Sequence, residues 1–133
     1  PEERRALRDS LEGFMRKRYP HCLVAGGESP RSWTTSCICF PGLLQDDLVE
    51  GLSERGICVG KGAACAGSLA GSRVLRSMGI EDPYNQGAVR FSFSMLSRPA
   101  DLERLLSLFP EAYEEAMAKS PYAPGWKRPA ERL

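Results

Sequence analysis

Residues 88–94 alternate strictly, with Val89, Phe91 and Phe93 on one side and Arg90, Ser92 and Ser94 on the other. A period of two predicts a half-buried strand, so Arg90 is expected on the polar face of a strand whose opposite face is core. Residues 34–40 repeat the pattern: Ser36, Ile38 and Phe40 share one face and Thr35, Cys37 and Cys39 the other, and Pro41-Gly42 stops the run. Short apolar runs at 22–25 and 57–59 predict two more strands. Helical spacing takes over elsewhere. Leu7, Leu11, Phe14, Met15 and Arg18 predict a first helix, and Leu44, Leu48 and Leu52 a second over about 44–55 with Gly56 as its stop. Ser72 is a candidate N-cap for a short helix ending at Gly79. Ser97 with Pro99 is expected to open a long helix carrying Leu102, Leu105, Leu106, Phe109, Tyr113, Ala116 and Met117, with Pro110 kinking or dividing it. The order helix, strand, strand, helix, strand, loop, short helix, strand, long helix predicts an α+β fold. A small antiparallel or mixed sheet of three to four strands, with helices covering one face, fits better than a doubly wound parallel sheet.

Length adds one constraint: 133 residues suffice for a single core and leave no room for a separate cofactor domain. Eighteen basic residues against seventeen acidic ones give no face suited to nucleic acid. No apolar run reaches the length of a bilayer span, and residues 1–10 lack the apolar centre of a secretion signal, so no membrane partner and a cytoplasmic location are expected. The cysteines, at 22, 37, 39, 58 and 65, are odd in number and point to thiols in a reducing compartment.

One segment stands apart chemically. Residues 60–72, GKGAACAGSLAGS, hold four glycines, four alanines and two serines around a single thiol, Cys65. Apart from Leu69 nothing there could pin the segment to a core, so it is expected to be mobile and Cys65 to be reactive rather than packed. A loop that carries a nucleophile between two sites needs such a composition.

Four blocks in order, FPG at 40–42, GICVGKGAAC ending at Cys65, SRVLRSMG at 72–79 and GAVRFSFSMLSRPADLE from Gly87, closely resemble the C-terminal small domain of cysteine desulfurases of the NifS/IscS type. These are pyridoxal-phosphate enzymes of the class V aminotransferase group, with a fold-type I architecture. The resemblance implies that Cys65 is the catalytic nucleophile that receives sulfur from L-cysteine as a persulfide, and that Arg90 binds the substrate carboxylate. It also implies a large pyridoxal-phosphate-binding domain as partner and a sulfur-acceptor or scaffold protein, in the setting of iron–sulfur cluster assembly. The chemistry agrees, because a thiolate is the species that attacks sulfur and a guanidinium grips a carboxylate through two parallel hydrogen bonds.

The chain departs from the family pattern in places. The block S-S-G-S-A-C appears as the run ending Gly62-Ala63-Ala64-Cys65, S-H-V-L as Ser72-Arg73-Val74-Leu75, and L-G-R-F-T-T as residues 93–98 without its glycine and arginine. The family's Schiff-base lysine, ring-stacking histidine and pyridine-binding aspartate belong to the large domain. Lys17, Lys61, Lys119 and Lys127 lack the strand and phosphate-binding loop of a cofactor pocket, so the chain alone is expected to hold no pyridoxal phosphate covalently and to be inactive without the large domain. Residues 1–119 are read as the small domain and 120–133 as a Pro-rich basic tail. The alternative is a free-standing non-catalytic module that accepts sulfur on Cys65 or binds a partner.

Two further features carry less. Cys37 and Cys39 with His21-Cys22 suggest metal ligands, but strand residues two apart sit about 6–7 Å from each other without C-x-x-C geometry, and no metal is expected. Trp33 reads as rim packing beside a strand.

Overall fold

A computed structural model describes residues 2–24, 35–61, 87–92 and 98–122. The expected short helix at 72–79, the Gly/Ala-rich run beyond Lys61 with Cys65, Trp33, Phe93, Ser94 and the tail beyond Tyr122 lie outside those residues.

The first helix, α1 (Glu2–Arg18), carries acidic residues in its first turn and Arg16, Lys17 and Arg18 in its last, matching the helix dipole at both ends. Its inward face is Leu7, Leu11, Glu12 and Met15. Two short strands follow, β1 (Leu23–Val24) and β2 (Thr35–Cys39), paired antiparallel with Val24 opposite Ile38. The second helix, α2 (Gln45–Glu54), ends at Arg55, where the Gly56 amide bonds back to the Ser53 carbonyl and the Ile57 amide to the Leu52 carbonyl. This double closure needs a left-handed residue at its centre, and Gly56 has φ of 78°.

Because the Ile57 amide closes the helix, the strand expected over 57–59 forms later, as β3 (Gly60–Lys61). It pairs antiparallel with β4 (Ala88–Ser92), which also pairs with β2, giving an antiparallel sheet in the order β1-β2-β4-β3. The α+β architecture expected from the pattern is thus present, with every described strand pair antiparallel.

The last helix, α3 (Pro99–Lys119), is capped by Arg98 and not by Ser97: the Arg98 amide donates to Asp101 Oδ2 at 2.9 Å, and Pro99 takes the first helical position. Pro110 does not divide it. A helix-interior proline costs about 3 kcal/mol. Leu102, Leu105, Leu106 and Phe109 before it and Ala112, Tyr113 and Ala116 after it pack into one core, and each large side chain buried there contributes about 1.5–3 kcal/mol. Packing therefore outweighs the lost hydrogen bond.

The three described helices turn their apolar faces toward the side of the sheet that carries Ile38, Val89 and Phe91. Tyr19, Phe40, Phe109 and Tyr113 form an aromatic cluster at one end of this core, with Tyr19 and Phe109 ring centres 5.5 Å apart. Gly51 of α2 packs beside Ala112 of α3, where a Cβ would make an ordinary 3.6 Å contact with the Ala112 methyl. Arg104 of α3 completes the join by donating to the Arg55 and Gly56 carbonyls, at 2.6 and 3.4 Å, while Arg55 pairs with Glu115 at 2.8 Å. The Ser120 hydroxyl donates to the Gly42 carbonyl and holds the chain against the domain just past α3.

Gly87 sits where β4 begins, its carbonyl accepting the Phe40 amide at 2.9 Å. A Cβ at this position would collide with the Phe40 carbonyl oxygen, a backbone atom that cannot swing aside. Gly87→Ala is therefore expected to lower the unfolding free energy by about 3 kcal/mol, within the range for overpacking and backbone strain. Urea unfolding measures it, and a loss below about 1 kcal/mol would contradict the tight join of Phe40 and Gly87.

Candidate functional site

The period-two geometry of β2 and β4 produces the site. Core-face residues Ser36, Ile38, Val89 and Phe91 are buried, and the intervening positions Thr35, Cys37, Ala88 and Arg90 are half-buried on the opposite face, whereas Cys39, expected on that polar face, is only 2% exposed. Arg90 lies opposite Cys37 on β2 and opposite Gly60 on β3, so one cross-sheet row reads Cys37, Arg90, Gly60. Its guanidinium lies over the Gly60 backbone: a Cβ built at that glycine would be 2.7 Å from Nη2 and 2.8 Å from Nε. Nε is shielded from solvent and finds no hydrogen-bond acceptor among the described residues. A guanidinium with one unmatched donor can take an anionic acceptor at that atom without breaking an internal bond.

The four described cysteines are not in disulfides and occupy distinct environments. Cys22 and Cys39 are buried, Cys37 is half-buried beside Arg90, and Cys58 is exposed just before β3. Burial pushes the Cys39 thiol up to about 12; the Gly87 backbone works weakly against that and Cys22 adds to it. Cys39 is a protonated core residue at neutral pH. Cys65, the expected nucleophile, lies outside the described residues.

A buried polar pair was missed by sequence reasoning. Ser36, on the core face of β2, donates its hydroxyl to Glu12 Oε2 of α1 at 2.5 Å, and Glu12 is only 3% exposed. The signal was a serine at an alternating position otherwise filled by Ile38 and Phe40, since a hydroxyl in a core requires a partner. Gly60 was likewise read as part of a loose loop, whereas it is a strand residue beneath the guanidinium.

The cavities lie away from this row. One of about 220 Å³ is bounded by Leu7, Cys58, Phe91, Arg98, Leu102 and Arg104. Another of about 230 Å³ opens beside Tyr19, His21, Phe40 and Tyr113. Arg90 is on the wall of neither of these two.

Residues 2–105 match the family model described as "Aminotransferase class-V". The chain is 38% identical over 119 residues, 89% of its length, to a cysteine desulfurase of Cereibacter sphaeroides, and covers 31% of that protein. It is 35% identical to cysteine desulfurase 2 of Trichormus variabilis over 90% of its own length and 30% of the relative's. Among solved structures, a NifS-like protein from Rickettsia africae superposes with a TM-score of 0.68 at 25% identity, over 84% of this chain and 28% of that one. The chain belongs to the class-V aminotransferase family, with cysteine desulfurases as its homologues, and spans under a third of the length of the curated relatives it matches.

The thiol environments give a pH prediction. Cys39 has a folded value near 12 against an ordinary 9.0, and Tyr19 near 12 against 10.0, both raised chiefly by burial. Below pH 9 both groups are protonated in either state and their contribution is complete. As pH rises from about 9 toward 12 the unfolded chain loses these protons while the folded one keeps them, so stability falls. Cys39→Ala is expected to flatten that alkaline decline in the unfolding free energy. An unchanged slope would place the Cys39 thiol in solvent.

Proposed function

We propose that this chain is the small domain of a pyridoxal-phosphate-dependent cysteine desulfurase, in which Arg90 holds the carboxylate of L-cysteine and Cys65 takes the substrate sulfur as a persulfide. One observation carries the reading: in a chain of the class-V aminotransferase family, Arg90 lies on the sheet face away from the helices with a shielded Nε that has no acceptor among the described residues. A carboxylate presents two oxygens at the spacing of two guanidinium donors, and a strand fixes the direction from which they meet.

The role of Cys65 rests on its sequence block and on tether length. Gly60 is hydrogen-bonded beside Arg90, and Cys65 follows the end of β3 by four residues, a reach of about 14 Å at full extension. In the proposed step the Cys65 thiolate attacks the sulfur of the substrate. A sulfur–sulfur bond forms, the carbon–sulfur bond breaks with its electron pair passing to the substrate carbon, and protonation there yields alanine. The persulfide is then handed to an acceptor protein.

The described residues do not make a cradle for pyridoxal phosphate. Lys17 and Lys119 are exposed on α1 and α3, the helices that cover the sheet face opposite Arg90. The cofactor of the complete enzyme is accordingly assigned to the large domain. Chain 1–133 alone, mixed with pyridoxal phosphate and reduced with borohydride, is expected to retain no cofactor. Covalent retention on one of its lysines together with turnover of cysteine would make it a compact enzyme in its own right.

In the complete protein, Cys65→Ser is expected to abolish persulfide formation from L-cysteine with the thermal midpoint unchanged. Arg90→Lys should lower kcat/KM for L-cysteine by at least about tenfold, because a point charge cannot reproduce the paired bonds. Persulfide formed normally by the Cys65 variant, or kinetics untouched by the Arg90 variant, would remove the corresponding assignment.

A further inference from the structure

We infer that Gly60 is a positioning residue for Arg90: its missing side chain is what allows the guanidinium to lie against β3. The inference deepens the carboxylate-clamp reading above and rests on it.

Three observations meet at this position. Gly60 is the residue directly opposite Arg90 in the β3–β4 pair. The space a Cβ would fill at Gly60 is already taken by the guanidinium, with Nη2, Nε and Cζ at 2.7, 2.8 and 3.0 Å. The glycine has no backbone reason to be there, since the positive-φ glycines among the described residues are Gly42 and Gly56 alone, and an ordinary residue could adopt the conformation of Gly60. Steric demand from Arg90 is what remains to explain a glycine in a strand, where it otherwise loses entropy and packing.

The direction of the effect follows from which atoms would collide. Gly87 faces a backbone oxygen, and substitution there strains the fold. Gly60 faces the far end of a long flexible side chain. An added methyl would therefore be accommodated by rotation of Arg90, at little cost to stability, and the guanidinium would leave the strand surface. Two parallel hydrogen bonds to a carboxylate depend on the plane and the height of the fork, so displacement by the width of a methyl group costs binding although the charge is kept.

The test uses the complete, cofactor-loaded protein and two thiol inhibitors: 3-mercaptopropionate, which has a carboxylate, and cysteamine, which has none. Gly60→Ala is expected to raise the inhibition constant of 3-mercaptopropionate and the KM for L-cysteine by about tenfold, equivalent to about 1.4 kcal/mol. The inhibition constant of cysteamine and the thermal midpoint should stay at the wild-type values. In an Arg90→Ala background, Gly60→Ala should add nothing, because its effect passes through the guanidinium. If Arg90→Ala weakens 3-mercaptopropionate and Gly60→Ala does not, the positioning role of Gly60 is wrong and the clamp stands. If Arg90→Ala itself leaves 3-mercaptopropionate unchanged, both fall. A Gly60→Ala effect that persists undiminished without Arg90, or that weakens cysteamine equally, would also overturn the inference.

Discussion

Ile38 and Val89 face each other across the β2–β4 pair, both wholly buried, and this contact fixes the register on which the rest of the molecule depends. With side chains alternating along each strand, a slip of one residue would drive Arg90 and Cys37 into the core and turn Val89 and Phe91 out. The apolar faces of α1, α2 and α3 all meet the Ile38–Val89 side. The energy of burial therefore acts as the clamp on register, and it sets Arg90 and Cys37 on the face away from the described helices.

The joins around the sheet serve the same division. The Schellman turn at Gly56 uses the Ile57 amide and delays pairing until Gly60, which brings a residue without a side chain opposite Arg90. Arg104 ties the end of α2 to α3, and the Ser36–Glu12 bond ties β2 to α1. Two charged groups are thus treated in opposite ways on the two faces of one sheet: Glu12 is buried with a hydroxyl donor, while Arg90 keeps Nε without an acceptor among the described residues. The first arrangement suits a core, where an unmatched polar group is costly, and the second suits a binding face.

Most of this division was legible in the residues themselves. Strict alternation over residues 88–92 placed Arg90 opposite Val89 and Phe91, and leucine spacing with a glycine stop placed α2 to within a residue at each end. The mistakes arose where tertiary packing overrode a local signal. Pro110 breaks helices locally, yet the aromatic and aliphatic side chains flanking it share one core and keep α3 continuous. Residues 57–59 are strand-like in composition, but the helix closure claimed the Ile57 amide. Gly60 looked like loop composition, since its purpose depends on a guanidinium thirty positions later that no local window contains. The assignment of Cys65 came from motif and not from pattern, and its residue lies outside the described structure.

Arg90 is the proposed anchor of the substrate carboxylate, on the sheet face away from the described helices. A crystal structure of the complete protein with L-cysteine or a non-reacting carboxylate bound measures this directly. It should show both carboxylate oxygens at about 2.7–2.9 Å from nitrogens of Arg90, Nε or Nη2 among them, with the guanidinium still lying on the Gly60 backbone. A carboxylate held by other residues, with Arg90 turned away from it, would contradict the account.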